Sequence, residues 1–273
     1  MTYVDDGLFF ARDESLVTQT IQALESKEFD IDTTMQGVSQ YLGVKVGDPD
    51  EKGNIELIQP GLTTRLLKVL GLEESSTAVT PATGPLGRCL DADPFSGSFN
   101  FRSAVGMTMY LTTNTRLDCA FANHQCARFA ANHPRAPHEV ALKRLGRYLA
   151  GTSTRGLVIR KSTSLNLDCY VDADFAGLFG AEHPDDPTCA RSRTCFLITL
   201  GGVPVLWKSQ LQTLTALSTC EAEYIALSTA ICDAFSATWL SVCNFPFTSS
   251  LSSHRSLKTI VLPNCLLLKI HRS

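Results

Sequence analysis

The stretch from Cys195 to Phe235 restricts the fold of this chain more than any other. "CFLITL" and "VPVLWKSQ" are apolar runs on either side of Gly201-Gly202, a dipeptide that lets two strands turn back on each other. Ser218-Thr219-Cys220-Glu221 then has the spacing of a capping box, in which a hydroxyl and a carboxylate satisfy the first free N–H groups of a helix. Tyr224, Leu227, Ile231 and Phe235 follow on one side of that helix, so an apolar stripe is predicted to pack on the strands from Thr219 to Leu240. The cap occupies Glu221. Glu223, on the first turn beside the stripe, is left without a structural task. Upstream, "GLVIRK" and "LNLDCYVDA" read as further strands, the second alternating Leu167, Cys169 and Val171 against Asp168, Tyr170 and Asp172. Phe175, Phe179 and Trp207 are expected in the core.

The chain begins "MTYVDDGLFF", with Asp5 and Asp6 boxed in by apolar residues. A half-buried carboxylate pair is costly without a compensating cation or water. Asp6-Gly7 is also a hairpin signal, which puts the pair at a turn between two strands and leaves a plain solvated turn as the alternative. Asp13 can cap a helix through Val17, Ile21 and Leu24 to near Phe29. Strands are predicted at "YLGVKVG" and "NIELIQ", joined by a turn from Asp48 to Gly53, and a short helix at "GLTTRLLKVLGL". Residues 75–98, rich in Pro, Gly and Ser, read as a linker before three helices. In the last of these Ala141, Leu145 and Tyr148 make the apolar stripe, so Lys143, Arg144 and Arg147 are expected to face solvent.

Net charge is only −3, but it is segregated: seven basic residues between Arg135 and Lys161 stand against the single acid Glu139, and Ser162 to Ala190 holds six acids with no Lys or Arg. The ten cysteines form no Cys-x-x-Cys pair, and no apolar leader precedes them. Reduced thiols and an intracellular location, cytoplasm or nucleus, are expected. His133 and His138 are separated by two prolines and lie near no cysteine pair, which speaks against zinc. The uncharged stretch Thr194 to Trp207 is too short for a bilayer and is broken by Gly201, Gly202 and Pro204. After Ser241 there is no Asp or Glu and no sustained period, as if a different sequence were joined on.

Taken in order, several stretches resemble the end of a copia-type LTR-retrotransposon Pol polyprotein. "YVDD" resembles the reverse-transcriptase palm box, and "YLGVKV" with "GNIELIQPGLTTRLL" is similar to the segment after it. "FRSAVGMTMYLTTNTRLDCAFA" and "NHPRAPHEVALKRLGRYLAGTSTRGL" resemble the connecting helices. "CYVDADFAG", "SRTCFLITLGGVPVLWKSQLQT" and "ALSTCEAEYIALS" are similar to the ribonuclease H domain. The resemblance implies an α/β fold: an α+β palm and thumb remnant over 1–74, the linker 75–98, a helical connection with a basic face over 99–155, an incomplete ribonuclease H-like mixed sheet with helices over 156–240, and a divergent tail over 241–273. By residue it implies Asp5 and Asp6 as palm metal ligands, Asp172 and Glu223 as ribonuclease H ligands, Mg²⁺ or Mn²⁺ as cofactor, and an RNA–DNA hybrid or other nucleic acid as partner, with Lys143, Arg144 and Arg147 as contacts. Such enzymes hold two ions about 4 Å apart, one activating the nucleophile and one steadying the leaving oxygen.

The chain also departs from the pattern. The family places a further palm Asp and the fingers before "YVDD", and an Asp-Asn motif with another acid after the Glu helix; none has a match here. Both sites are therefore expected to be incomplete and activity impaired. A non-catalytic nucleic-acid-binding remnant and a non-functional product of a decayed element stand as alternatives.

Overall fold

The computed structural model describes residues 2–3, 6–10, 13–26, 29–36, 39–131, 134–162, 166–243 and 265–272. The fold class is α/β as expected, and every described strand pair is antiparallel. Strands β1 (Thr2–Tyr3) and β2 (Asp6–Phe10), helix α1 (Glu14–Glu25) and strand β3 (Phe29–Gln36) come first. Asp6 and Gly7 lie within β2, opposite Tyr3 and Thr2, and not at the turn expected of them. Asp5 falls outside the described residues. Asp13 caps α1 by accepting from Ser15 N–H. The acid-free tail contributes a strand, β11 (Cys265–Arg272), that pairs with β2 on one side and β3 on the other.

A second sheet is built from β4 (Gln40–Tyr41), β5 (Val44–Val46), β6 (Ile55–Ile58) and β7 (Leu157–Ile159), in that order. "YLGVKVG" is thus a hairpin and not one strand, because Leu42 and Gly43 both take positive φ, 49° and 76°, and reverse the chain between them. The strand after Gly156 joins this sheet where Leu157 pairs with Leu57, 100 residues earlier in the chain. Gly156 permits the approach: a Cβ there would lie inside contact distance of the Leu57 carbonyl oxygen.

Helix α2 (Pro60–Leu70), ended by left-handed Gly71, packs with α3 (Phe101–Asn114), α4 (Ala120–Ala127) and α5 (Ala136–Gly151). Leu66, Leu70, Leu111, Leu142, Leu145 and Leu149, each 4% exposed or less, form its centre with Phe101, Val105 and Cys126. Residues 75–98 do not hang free. Ala78 N–H donates to Arg147 C=O, Thr80 Oγ1 accepts from Arg144, and Glu139 accepts from Ser96 N–H.

The third sheet is β8 (Leu167–Asp174), β9 (Arg193–Leu200) and β10 (Val203–Leu211), ordered β10-β9-β8 and covered on one side by α6 (Thr219–Cys243). The cap works as read: Ser218 Oγ accepts from Glu221 N–H at 3.1 Å and the Glu221 carboxylate accepts from Leu217 N–H at 2.7 Å. The stripe does not. Ala222, Ala226 and Ala230, all fully buried, face the sheet, while Tyr224 and Phe235 are 68% and 73% exposed. A helix lies close to a flat sheet through small residues, which turns the large ones outward. Phe175 and Phe179 are exposed as well, against expectation. Trp207 is half-buried and donates its Nε1–H to Thr112 C=O.

Two of the six acids after Ser162 are structural. Glu182 and Asp186 are buried and pair with Arg128 and Arg88. Beside them Arg193, 2% exposed, bonds His124 Nδ1 at 3.0 Å and lies over the Phe121 ring. Burial, then Arg193 and Arg128, push the His124 imidazole down to about 4 from 6.5. His138, stacked on Phe129, is lowered too, first by burial. Between those values the unfolded chain binds the proton and the folded chain does not, so stability falls as pH drops from 6.5 toward 4. One such proton costs about 1.4 kcal/mol per pH unit. Urea unfolding is expected to give a lower free energy at pH 5 than at pH 7.5, by about 2 kcal/mol from His124. His124→Gln should flatten that dependence.

Candidate functional site

The expected palm position is open to description only in part: Asp6 lies on β2 with Lys269 of β11 at the facing register position. In the ribonuclease H-like half, Asp172 sits on β8 opposite Cys195, and both Asp172 and Glu223 are exposed. Glu223 lines a groove of about 320 Å³ with Val171, Cys220, Tyr224 and Leu227. Val171 packs toward Ala230 on the α6 side of the sheet. Successive strand residues point to opposite faces, so Asp172 lies on the other side from Glu223. Among the described residues no three His, Cys, Asp or Glu side chains converge to hold a metal ion. The acids present therefore do not fit a two-ion centre, and no step through metal follows from them.

The expected basic contacts are half-covered, because residues 75–98 lie along α5. Lys143 donates to Glu139 at 2.7 Å and sits over the Phe99 ring. Arg144 donates to Thr80. Arg147 is half-buried and its C=O is held by Ala78.

A groove that sequence reading missed lies at the start of α2. It holds about 660 Å³ and is lined from three separate stretches, among them Gln40, Lys45, Gln59, Arg65, Ser103 and Tyr110, with no acid in its wall. Pro60 occupies the first helical turn and no side chain caps it, so the N–H groups of Gly61 and Leu62 open toward this space. A helix start carries partial positive charge and attracts anions. Gln59, 3% exposed, accepts from Thr115 through Oε1 while its Nε2 finds no partner among the described residues. Tyr110 donates to Leu42 C=O at 2.7 Å and ties the β4–β5 turn to α3 across the groove. Lys45 and Arg65 are exposed and form no ion pair with a described residue. The sequence signal was present as Gln59-Pro60-Gly61 before a helix bearing Arg65, but Lys45 and Tyr110 reach it only through the fold.

Comparison with known proteins gives the class, a segment of a transposon polyprotein. The chain belongs to the copia-type retrotransposon Pol polyprotein family. It is 33% identical over 233 residues, 83% of its own length, to the retrovirus-related Pol polyprotein from transposon TNT 1-94 of Nicotiana tabacum, of which it spans 17%. An uncharacterized mitochondrial protein of Arabidopsis thaliana is 29% identical over 229 residues and is matched over 89% of its length. A secreted RxLR effector protein of Plasmopara viticola is 41% identical over 142 residues, 92% of its length. No family model matches the chain, and no solved structure does. Among the described residues no helix is long and apolar enough to cross a membrane.

Proposed function

We propose that this chain is a reverse-transcriptase and ribonuclease H derived segment that binds nucleic acid, an RNA–DNA hybrid foremost, without extending or cutting it. The observation that carries the binding half is the acid-free groove at the start of α2, with Lys45, Arg65 and two uncapped N–H groups on one wall. Phosphate oxygens match that set in charge and in hydrogen-bonding capacity. The catalytic half of the reading rests on the acids: Asp172 and Glu223 occupy opposite sides of the sheet, and the Mg²⁺ or Mn²⁺ that the family resemblance implies lacks a converging ligand set among the described residues. Nucleotidyl transfer and hydrolysis both need reacting atoms held in place, not merely bound.

Anisotropy of a fluorescein-labelled RNA–DNA hybrid tests the binding. Affinity is expected to be sequence-independent and to fall with salt, each phosphate contact contributing about 0.9 to the log–log slope on the B-DNA scale. Lys45→Ala with Arg65→Ala should weaken binding at least tenfold and lower the slope by roughly two contacts. Replacing Lys143, Arg144 and Arg147 together should cost less, since Lys143 and Arg144 already have partners. An unchanged slope in the double variant would remove the groove from the account.

A further inference from the structure

We propose that the free edge of β8 and the outer stripe of α6 together accept an extended polypeptide strand from another protein, one in which apolar residues alternate with Lys or Arg. In the sheet order β10-β9-β8 no described strand lies outside β8. Exposed edges are usually blunted by proline, lysine or a bulge. β8 has no Pro and no Lys, and its register with β9 runs unbroken from Leu167 to Asp174. Its neighbour α6 presents Tyr224, Leu227, Ile231 and Phe235 at 68%, 44%, 43% and 73% exposure. Single exposed apolar residues need no explanation, but an aligned row beside an open strand edge does.

The occupant's pattern follows from the two faces of the edge. On the α6 side Val171 borders the groove that Tyr224 and Leu227 line. On the opposite side Asp168, Tyr170, Asp172 and Asp174 are all exposed. An added strand would set every second residue against the apolar stripe and the others beside three carboxylates. Neither β8 nor α6 carries a Lys or Arg. Arg193, across from Asp174, is turned to His124 and Phe121, and Lys208 is held by Asp233. Basic residues in the incoming strand therefore meet Asp168 and Asp172, neither of which forms an ion pair with a described residue. A second copy of the chain is a poor occupant, because β8 against β8 would face Asp with Asp, and like charges directly opposite destabilise a pair.

The test uses the full chain and two nine-residue peptides, one alternating Val and Lys, the other Val and Glu. The Val/Lys peptide should bind by anisotropy, and in hydrogen exchange it should slow the outward amides of β8 at least tenfold; the Val/Glu peptide should do neither. Leu227→Asp on the exposed stripe, and separately Asp168→Lys with Asp172→Lys, should each weaken Val/Lys binding at least tenfold while circular dichroism stays unchanged. Cys169→Pro, which removes an edge donor because the even-numbered residues of β8 bond inward to β9, should do the same. Equal binding of both peptides, binding that leaves β8 exchange unaltered, β8 edge amides already protected in the free chain, or a β8-dependent dimer would each overturn the proposal.

Discussion

Leu145→Ala is expected to lower the unfolding free energy by about 3–5 kcal/mol. Leu145 is fully buried in α5 among Leu66, Leu70, Leu142 and Leu149. Removing its isobutyl group loses the transfer energy and leaves a hole that the helices cannot close, because α5 already touches α2 there. A Cβ at the adjacent Gly146 would come within 2.8 Å of both Leu70 and Leu72, so no room exists for the two helices to slide together. Urea unfolding should show a lower midpoint with an unchanged slope. A loss below about 1 kcal/mol would mean that this cluster is not the centre of the fold.

The second large effect is expected at Glu182. Its side chain is 1% exposed, Oε2 accepts from Arg128 Nη2 at 3.1 Å, and Oε1 accepts from Arg88 N–H at 2.9 Å. Arg128, itself 12% exposed, is lowered by burial and sustained by this carboxylate. Glu182→Gln keeps the shape and leaves the guanidinium buried without its counter-charge, which costs about 3–5 kcal/mol. Glu182→Gln combined with Arg128→Met should recover part of that loss, since the stranded charge is gone. Additive losses in this double-mutant cycle would mean the two side chains do not act as a pair.

How far the sequence carries depends on whether a signal is local. Helices α2, α3 and α5 were readable because their apolar residues recur at helical spacing and their ends carry punctuation such as Gly71. Phe29, Ile31, Thr33 and Met35 alternate with polar residues, so β3 had a strand signal that the preceding helix pattern obscured. The α6 stripe was seen and assigned to the wrong face: periodicity reports that a helix has two sides, and only the sheet's demand for small residues decides which side goes in. Arg144 looked free because nothing in α5 itself announces that Thr80 lies across it, whereas the partner of Lys143, Glu139, stands one turn away on the same helix. The groove at α2 was out of reach for the same reason, being assembled from residues near 40–45, 59–65 and 103–110. Motif order, by contrast, is a linear property, and it led directly to the family that the relatives establish.

Binding and cleavage measured on one labelled RNA–DNA hybrid, with the unmodified chain in Mg²⁺ and again in Mn²⁺, bear most directly on the central claim. The account predicts salt-dependent binding that needs Lys45 and Arg65, with the RNA strand intact at the end of the incubation. Metal-dependent cutting of that strand, abolished by Asp172→Asn or Glu223→Gln, would contradict it.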